Sequence, residues 1–293
     1  MTLLIPDCSF GAAERAGLAT HMMREGHLGA EQVGYVDTAA SPPRLDMMGG
    51  ELCVNACRAM AALLHAEGRL TLAAPPVAEL PASEGSGWSY GLLRSSGVDE
   101  PVVIRARCRN GDGNGFPIQH EAGVCLRLGP APEITAVADD MHVVRLPGIT
   151  HLILDAPRHR FPKDWRDASA ALRRRFSLET EEAVGCIWLD AAVPSLAPVV
   201  WVRGTGHSVL ETACGSGTLA CALYLADRHP DYGHTDTIHI QQYGEEVLDV
   251  TLYRSRSFTG VPPGGARQSL WAWISGTVDC VARGECFVPT RSV

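Results

Sequence analysis

Two stretches of the chain have no polar side. From Val54 to Ala66, Ala, Met and Leu occupy nearly every position around the helical turn, and the same holds from Gly217 to Ala226. A helix that is apolar all round is buried all round, so each segment is expected at the centre of its own structural unit, wrapped by a curved sheet. The patterns ahead of them are shorter in period. Leu3 to Pro6, "EQVGYVD" (31–37) and "RLDMM" (44–48) read as strands before the first apolar helix, with an amphipathic helix from Ala12 to Glu25. Before the second apolar helix come strands "THLILD" (150–155), "EAVGCIWLD" (182–190) and "APVVWV" (197–202), with a helix over 162–176 opened by Pro162, a residue favoured in the first helical turn.

The order strand, helix, strand, strand, apolar helix therefore occurs twice. A fragment of text repeats in the same slot: Glu31-Gln32-Val33-Gly34 beside Glu182-Ala183-Val184-Gly185, each leading into an apolar strand that ends in Asp. Two homologous halves are the expectation. After each apolar helix the chain turns to short β runs: "PVVIRARC", an "NGDGNG" turn (110–115) and "GVCLRLG" in the first half, "DTIHIQQYG", "EEVLDVTLY" and "LWAWISGTVDCVA" in the second. Gly68 and Pro230 stand where the two apolar helices are expected to stop. Residues 74–87 and 260–268 read as loops, and 131–140 as the crossing between halves. The fold class expected is α/β (α+β), with one domain over 1–135 and another over 136–279, and a C-terminal strand within 280–293 returning to the first.

A length of 293 residues accommodates two cores. Net charge is −8, and Lys and Arg are scattered apart from short clusters such as Arg173-Arg174-Arg175, so no basic face is offered to nucleic acid or anionic lipid. No apolar run reaches the roughly 18 residues that span a bilayer, and the opening "MTLLIPDCSFGAAER" lacks the pattern of a secretory signal; a cytoplasmic protein with no membrane partner is expected. The ten cysteines are too small a share for a disulfide scaffold, and most are expected as buried thiols. Cys53 and Cys57 form a C-x3-C pair with no matching Cys or His pair at ligand spacing, which disfavours structural zinc.

Two of those cysteines sit at helix mouths. Cys214, in "LETACGSGT", precedes Gly215-Ser216-Gly217-Thr218, and Cys53, in "GGELCVNAC", precedes the first apolar helix. The first N–H groups of a helix lack intrahelical partners and carry partial positive charge, so this end attracts a carboxylate or phosphate and favours thiolate over thiol. A single activated thiol suits a nucleophile assisted by His. Two, in matching positions of facing halves, suit a different chemistry, in which one sulfur removes a proton from a carbon and the other returns one to the opposite face. One would act as thiolate and the other as thiol, titrating as a coupled pair.

The residues Cys53-Val54-Asn55-Ala56 and Ala213-Cys214-Gly215-Ser216-Gly217 resemble the two cysteine motifs of the diaminopimelate epimerase superfamily of PLP-independent racemases. "EQVGYV", "GGELC" and "LETACGSGT" are most similar to the histidine racemases of opine-metallophore biosynthesis. The resemblance runs in patches from about Met1 to Val288 and covers both halves. It implies two pseudosymmetric domains with the site between them, no cofactor and no metal, Cys53 and Cys214 as catalytic acid and base, and a free amino acid, histidine first, as substrate. It further implies that Asn55 and the amides of Gly215, Ser216, Gly217 and Thr218 hold the α-carboxylate, with Glu31 and Glu211 near the substrate. Val54 and Ala56 replace glycines of the family motif and Gly50 stands where the family has Asn. The sequence opens at "MTLLIP", where the family carries a preceding strand and a substrate-contacting Gly-Asn.

Simpler roles stand beside these. Asn55 is also a natural helix cap, Glu31 and Glu211 suit solvated or domain-pairing charges, Arg58 suits an ion pair at its helix, and Cys57, Cys221, His151, His207, Trp271 and Trp273 suit structural positions. Other functions of the same architecture are epimerisation of diaminopimelate or another amino acid, isomerisation by double-bond shift, and binding without turnover. Exposed strand edges leave room for a homodimer.

Overall fold

The computed structural model describes residues 1–6, 10–24, 26–77, 80, 87–109, 119–129, 132–228, 237–254 and 270–287. The first half runs β1 (Thr2–Pro6), α1 (Ala12–Met22), β2 (Gln32–Asp37), β3 (Arg44–Met47), α2 (Val54–Ala66), β4 (Ser89–Ser95), β5 (Val102–Cys108) and β6 (Gln119–Gly129). The second runs β7 (Ile134–Ala138), β8 (Met141–Leu146), β9 (Ile149–Asp155), α3 (Trp165–Arg175), β10 (Ala183–Asp190), β11 (Ser195–Val202), β12 (His207–Leu210), α4 (Gly215–Arg228), β13 (Thr237–Gln241), β14 (Val247–Arg254) and β15 (Leu270–Asp279). The "NGDGNG" turn, Pro230 and the 260–268 stretch lie outside the described residues.

The repeat read from the sequence reappears in the strand pairings. β1 and β2 are parallel, β2 and β3 antiparallel, β3 and β4 parallel, and β4, β5 and β6 antiparallel. β9, β10, β11, β13, β14 and β15 follow with the same senses in the same order. β6 and β15 join antiparallel along the register Gln119↔Asp279 to Gly129↔Leu270, so the pairing senses read the same outward from that seam in both directions. The hairpin of β7 and β8, and β12 on β11, stand outside the repeat.

The shared fragment has a packing reason. Gly34 and Gly185 occupy equivalent positions on β2 and β10, each where a neighbouring strand's side chain crosses the backbone. A Cβ at Gly34 would lie 2.7 Å from Leu45 and 3.3 Å from Leu4, and one at Gly185 would lie 2.2 Å from the His151 ring. His151 thus fills the slot that Leu4 fills in the first half. It is fully buried, neither ring nitrogen has a partner among the described residues, and burial pushes its pKa down to about 3, so it is neutral at ordinary pH. Trp271 and Trp273 are buried as expected, with Arg105 stacked on Trp273 and Arg127 over Trp271.

α2 and α4 are the two wrapped helices. Both contribute to one continuous apolar core that includes Met60, Ala61, Leu219 and Ala222, rather than to two separate ones. α2 stops at Ala66 with Gly68 at φ +68°, its N–H bonded back to the His65 carbonyl, as a left-handed helix end requires. α4 is longer than its apolar run, from Gly215 to Arg228. α3 begins at Trp165, later than Pro162, with Asp164 at the cap position but making no side-chain cap bond. Arg58 on α2 forms no ion pair among the described residues. Its guanidinium donates to the carbonyls of Ala122 on β6 (3.3 Å) and Thr277 on β15 (2.9 Å), tying α2 to both sides of the seam, and burial lowers it only to about 10, so it stays charged. Residues 280–287 form no strand; Cys286 lies 3.6 Å from the Met22 sulfur, on α1.

Candidate active site

Cys53 and Cys214 hold the same position on α2 and α4. Cys53 precedes α2 in extended backbone (φ −118°, ψ 106°), and its Sγ accepts the Ala56 N–H at 3.4 Å. Cys214 precedes α4, and its Sγ accepts the Gly217 N–H at 3.4 Å. Each sulfur thus does what a Ser or Asp side chain does at an ordinary helix start. Within each pair of helix-mouth residues, the amides of Val54 and Asn55, and of Gly215 and Ser216, have no partner among the described residues. The two cysteines line one cleft between the halves, with about 530 Å³ of unfilled space including its open mouth.

The two helix mouths abut. A Cβ at Gly215 would lie 2.3 Å from Val54 Cγ1 and 3.2 Å from Asn55 Oδ1, so the side chain that Val54 adds to the first motif occupies the space that Gly215 leaves in the second. At Gly217 the neighbour is Ile187, 2.9 Å away. These glycines admit packing neighbours. Gly215→Ala is therefore expected to cost about 1–3 kcal/mol of stability by overpacking, and Val54→Gly in the same chain to recover most of it, read as denaturant midpoints of the single and double variants. Of the amides from Gly215 to Thr218, expected to hold an anion, the first two are without a partner among the described residues. Gly217 N–H is committed to the Cys214 sulfur, and Thr218 N–H (2.8 Å) and Oγ1 (2.6 Å) to the Cys214 carbonyl. Neither Gly217 nor Thr218 lines the cleft.

Asn55 spans the halves: its Nδ2 donates to the Ala213 carbonyl at 2.6 Å. Its Oδ1 is buried without a partner among the described residues. An amide used this way presents an acceptor, which suits a substrate N–H group better than a carboxylate. Glu31 stands at the rim and accepts the Thr212 hydroxyl at 3.0 Å, again across the halves. His207 lines the cleft from an exposed position, whereas His151 lies in the core.

Glu211 is 4% exposed, accepts from the Gln32 Nε2 donor, and bears on the titration of both Cys214 and Cys53. Burial above all, helped by Glu31 and Glu51, pushes its carboxyl up to about 7, opposed by the neighbouring Cys214 and the Gln32 donor. Both thiols are pushed well above their ordinary range, first by burial and then by the Glu211 carboxylate, with the helix N–H donors opposing. The expected lowering by the helix ends is therefore outweighed by burial and the neighbouring carboxylate. Both sulfurs rest as thiols beside a carboxyl group poised near neutrality. Gln32, Glu51 and Gln242 are contributors the sequence reading passed over; Gln242 fixes the second motif by accepting the Cys214 N–H at 2.9 Å and donating to Thr218 Oγ1 at 3.0 Å. Among the described residues no group of three or more His, Cys, Asp or Glu side chains is arranged for a metal ion, and no helix is long and apolar enough to cross a membrane.

Residues 1–287 match the family model described as the histidine racemase CntK N-terminal domain. Two histidine racemases from strains of Fusobacterium nucleatum subsp. nucleatum are similar in sequence: one is 28% identical over 226 residues, 77% of this chain and 76% of the relative, the other 27% identical over 225 residues, 77% of each. Two solved structures share the fold. One is a hydroxyproline epimerase from Agrobacterium vitis with bound trans-4-hydroxy-L-proline (TM-score 0.54, 12% identity, 92% of this chain and 81% of that one). The other, from Pseudomonas aeruginosa, is described as a predicted epimerase (TM-score 0.54, 14% identity, 96% and 93%).

Proposed function

The chain belongs to the histidine racemase CntK N-terminal domain family, and on that premise we propose that it inverts the α-carbon of histidine by proton transfer between Cys53 and Cys214, without a cofactor. As a member of this family, similar to histidine racemases, it is an amino-acid racemase or epimerase and hence an isomerase. One observation above all supports the two-thiol route: the two sulfurs are equivalent helix caps of two equivalent halves, and both line the same cleft.

The substrate α-carboxylate lies against the free amides of Val54, Asn55, Gly215 and Ser216. Two helix N-termini converge there, each worth about half a positive charge. Charge that builds on the carboxylate as Cα loses its proton is met by donors already in place. The unpartnered Oδ1 of Asn55 accepts from the substrate's ammonium or ring N–H. Cys214 gives its own proton to Glu211 and, as thiolate, takes Cα–H. Cys53 donates its thiol proton to the opposite face. The enantiomer leaves with Cys53 as thiolate, Cys214 as thiol and Glu211 as carboxylic acid, and exchange with solvent restores the resting state. One proton enters Cα and one leaves, so the site's net charge is unchanged.

The test is incubation with single L-amino acids, followed by chiral chromatography. L-Histidine is expected to yield D-histidine up to equal amounts of the two. Binding of histidine without inversion would contradict the proposal and leave a non-catalytic member of the family.

A further inference from the structure

Gln32, the first residue of β2, is 8% exposed and lies in the same cleft. Its side-chain amide stands between the two halves of the reacting apparatus. Oε1 accepts the Cys53 thiol at 3.1 Å and the Thr2 hydroxyl at 3.0 Å, while Nε2 donates to Glu211 Oε1. A primary amide has an acceptor end and a donor end that do not interchange without rotation. The Glu211 carboxylate, which can only accept, fixes this orientation, and the Thr2 hydroxyl turns its proton to suit it.

We propose that Gln32 is a positioning residue that makes the two cysteines unequal in the resting enzyme, holding Cys53 as the proton donor and keeping Glu211 ready to relieve Cys214 of its proton. This rests on the two-thiol reading above. Because Oε1 only accepts, Cys53 must present S–H, and among the described residues Gln32 Oε1 is the acceptor that thiol meets. Because Nε2 only donates, it meets a Glu211 oxygen as acceptor and favours the carboxylate over the acid, which keeps the group that bears on Cys214 ready as the base. The second half has no counterpart: the residue equivalent to Gln32 in the repeated fragment is Ala183 on β10. The fold is pseudosymmetric, but its proton inventory is not. Glu31, Glu51, Cys53 and Cys214 are the other titratable groups that bear on Glu211, and the first two oppose its ionisation.

The experiment reads the thiols of the intact enzyme without substrate. Iodoacetamide alkylation of Cys53 and Cys214 is followed by peptide mapping from pH 5 to 10 in the wild type, Gln32→Leu and Gln32→Glu. In the wild type Cys214, whose proton Glu211 can take, is expected to alkylate with a limb at clearly lower pH than that of Cys53. Gln32→Leu is expected to move the Cys214 limb upward by about one pH unit, the size typical of one hydrogen bond lost from a buried carboxylate, and to bring the Cys53 limb down towards it. Gln32→Glu, isosteric but able to share a proton with Glu211, is expected to raise the Cys214 limb further. Equal pH dependence of the two thiols in the wild type, or an unchanged gap in properly folded Gln32→Leu, overturns the inference. Histidine inversion by the same preparations separates the two ideas: inversion with no thiol inequality sinks the role of Gln32 alone, and thiol inequality without inversion supports that role while sinking the proposed function.

Discussion

Serine in place of either Cys53 or Cys214 is expected to reduce histidine inversion about a thousandfold or more in both directions. Positioned general acid–base groups contribute roughly 10²–10⁴ each, and a hydroxyl, with a far higher pKa than a thiol, is a much weaker base in the same place. Both sulfurs are nearly buried, with Cys53 7% and Cys214 2% exposed, and the smaller Ser fills each site without strain. Thermal unfolding of each variant should therefore stay close to wild type. Ser at Cys57 or Cys221, which lie inside α2 and α4 and fully in the core, should affect stability before turnover. Loss of activity from only one of the two helix-mouth changes would contradict transfer between two thiols.

Glu211→Gln should change how the rate depends on pH. Glu211 is held at about 7, above its ordinary 4.5, and in the proposed path the carboxylate is the form that accepts the Cys214 proton. The value of kcat/KM is therefore expected to rise through pH 7 in the wild type as Glu211 ionises. In Glu211→Gln that limb should vanish, with the plateau about a hundredfold lower. Stability moves the other way. The folded chain binds the Glu211 proton more tightly than the unfolded chain does, so this group's contribution is complete below pH 4.5 and is lost as pH rises through about 7. At pH 8 the Gln variant, freed of a buried carboxylate, should unfold at a higher denaturant concentration than wild type. A wild-type rate that is flat across pH 6–8 would remove Glu211 from the proton path.

The features legible in the sequence were those with a period or a partner. α2 was bounded at both ends by its apolar run and Gly68. The two-half order was visible because "EQVG" and "EAVG" sit in the same slot, and both glycines are there to let a neighbouring side chain cross the strand. Cys214 stood out by its glycines, although Gly215 makes room for Val54 and Gly217 for Ile187. That exchange also accounts for the departure at Val54, which looked in isolation like an obstacle to substrate. Less legible were interactions that depend on distant residues meeting. Gln32 reads as one more position of a strand, yet the single difference between the repeated fragments, Gln against Ala183, was a signal: a polar side chain where the equivalent strand start carries a methyl group. Arg58 invited an acidic partner, but its partners are carbonyls on β6 and β15, which leave no mark on side-chain spacing. The direction of the thiol pKa was also out of reach, because burial and the approach of Glu211 outweigh a helix end and both are tertiary.

One measurement bears most directly on inversion by two opposed thiols: the isotope content of each enantiomer when L-histidine is incubated with the enzyme in D2O and stopped early. Proton transfer between Cys214 and Cys53 predicts D-histidine carrying deuterium at Cα while the remaining L-histidine keeps its protium, because the base that removes the proton is not the acid that returns one. Deuterium appearing in both enantiomers at equal rates would mean that a single group serves both faces, and would contradict it.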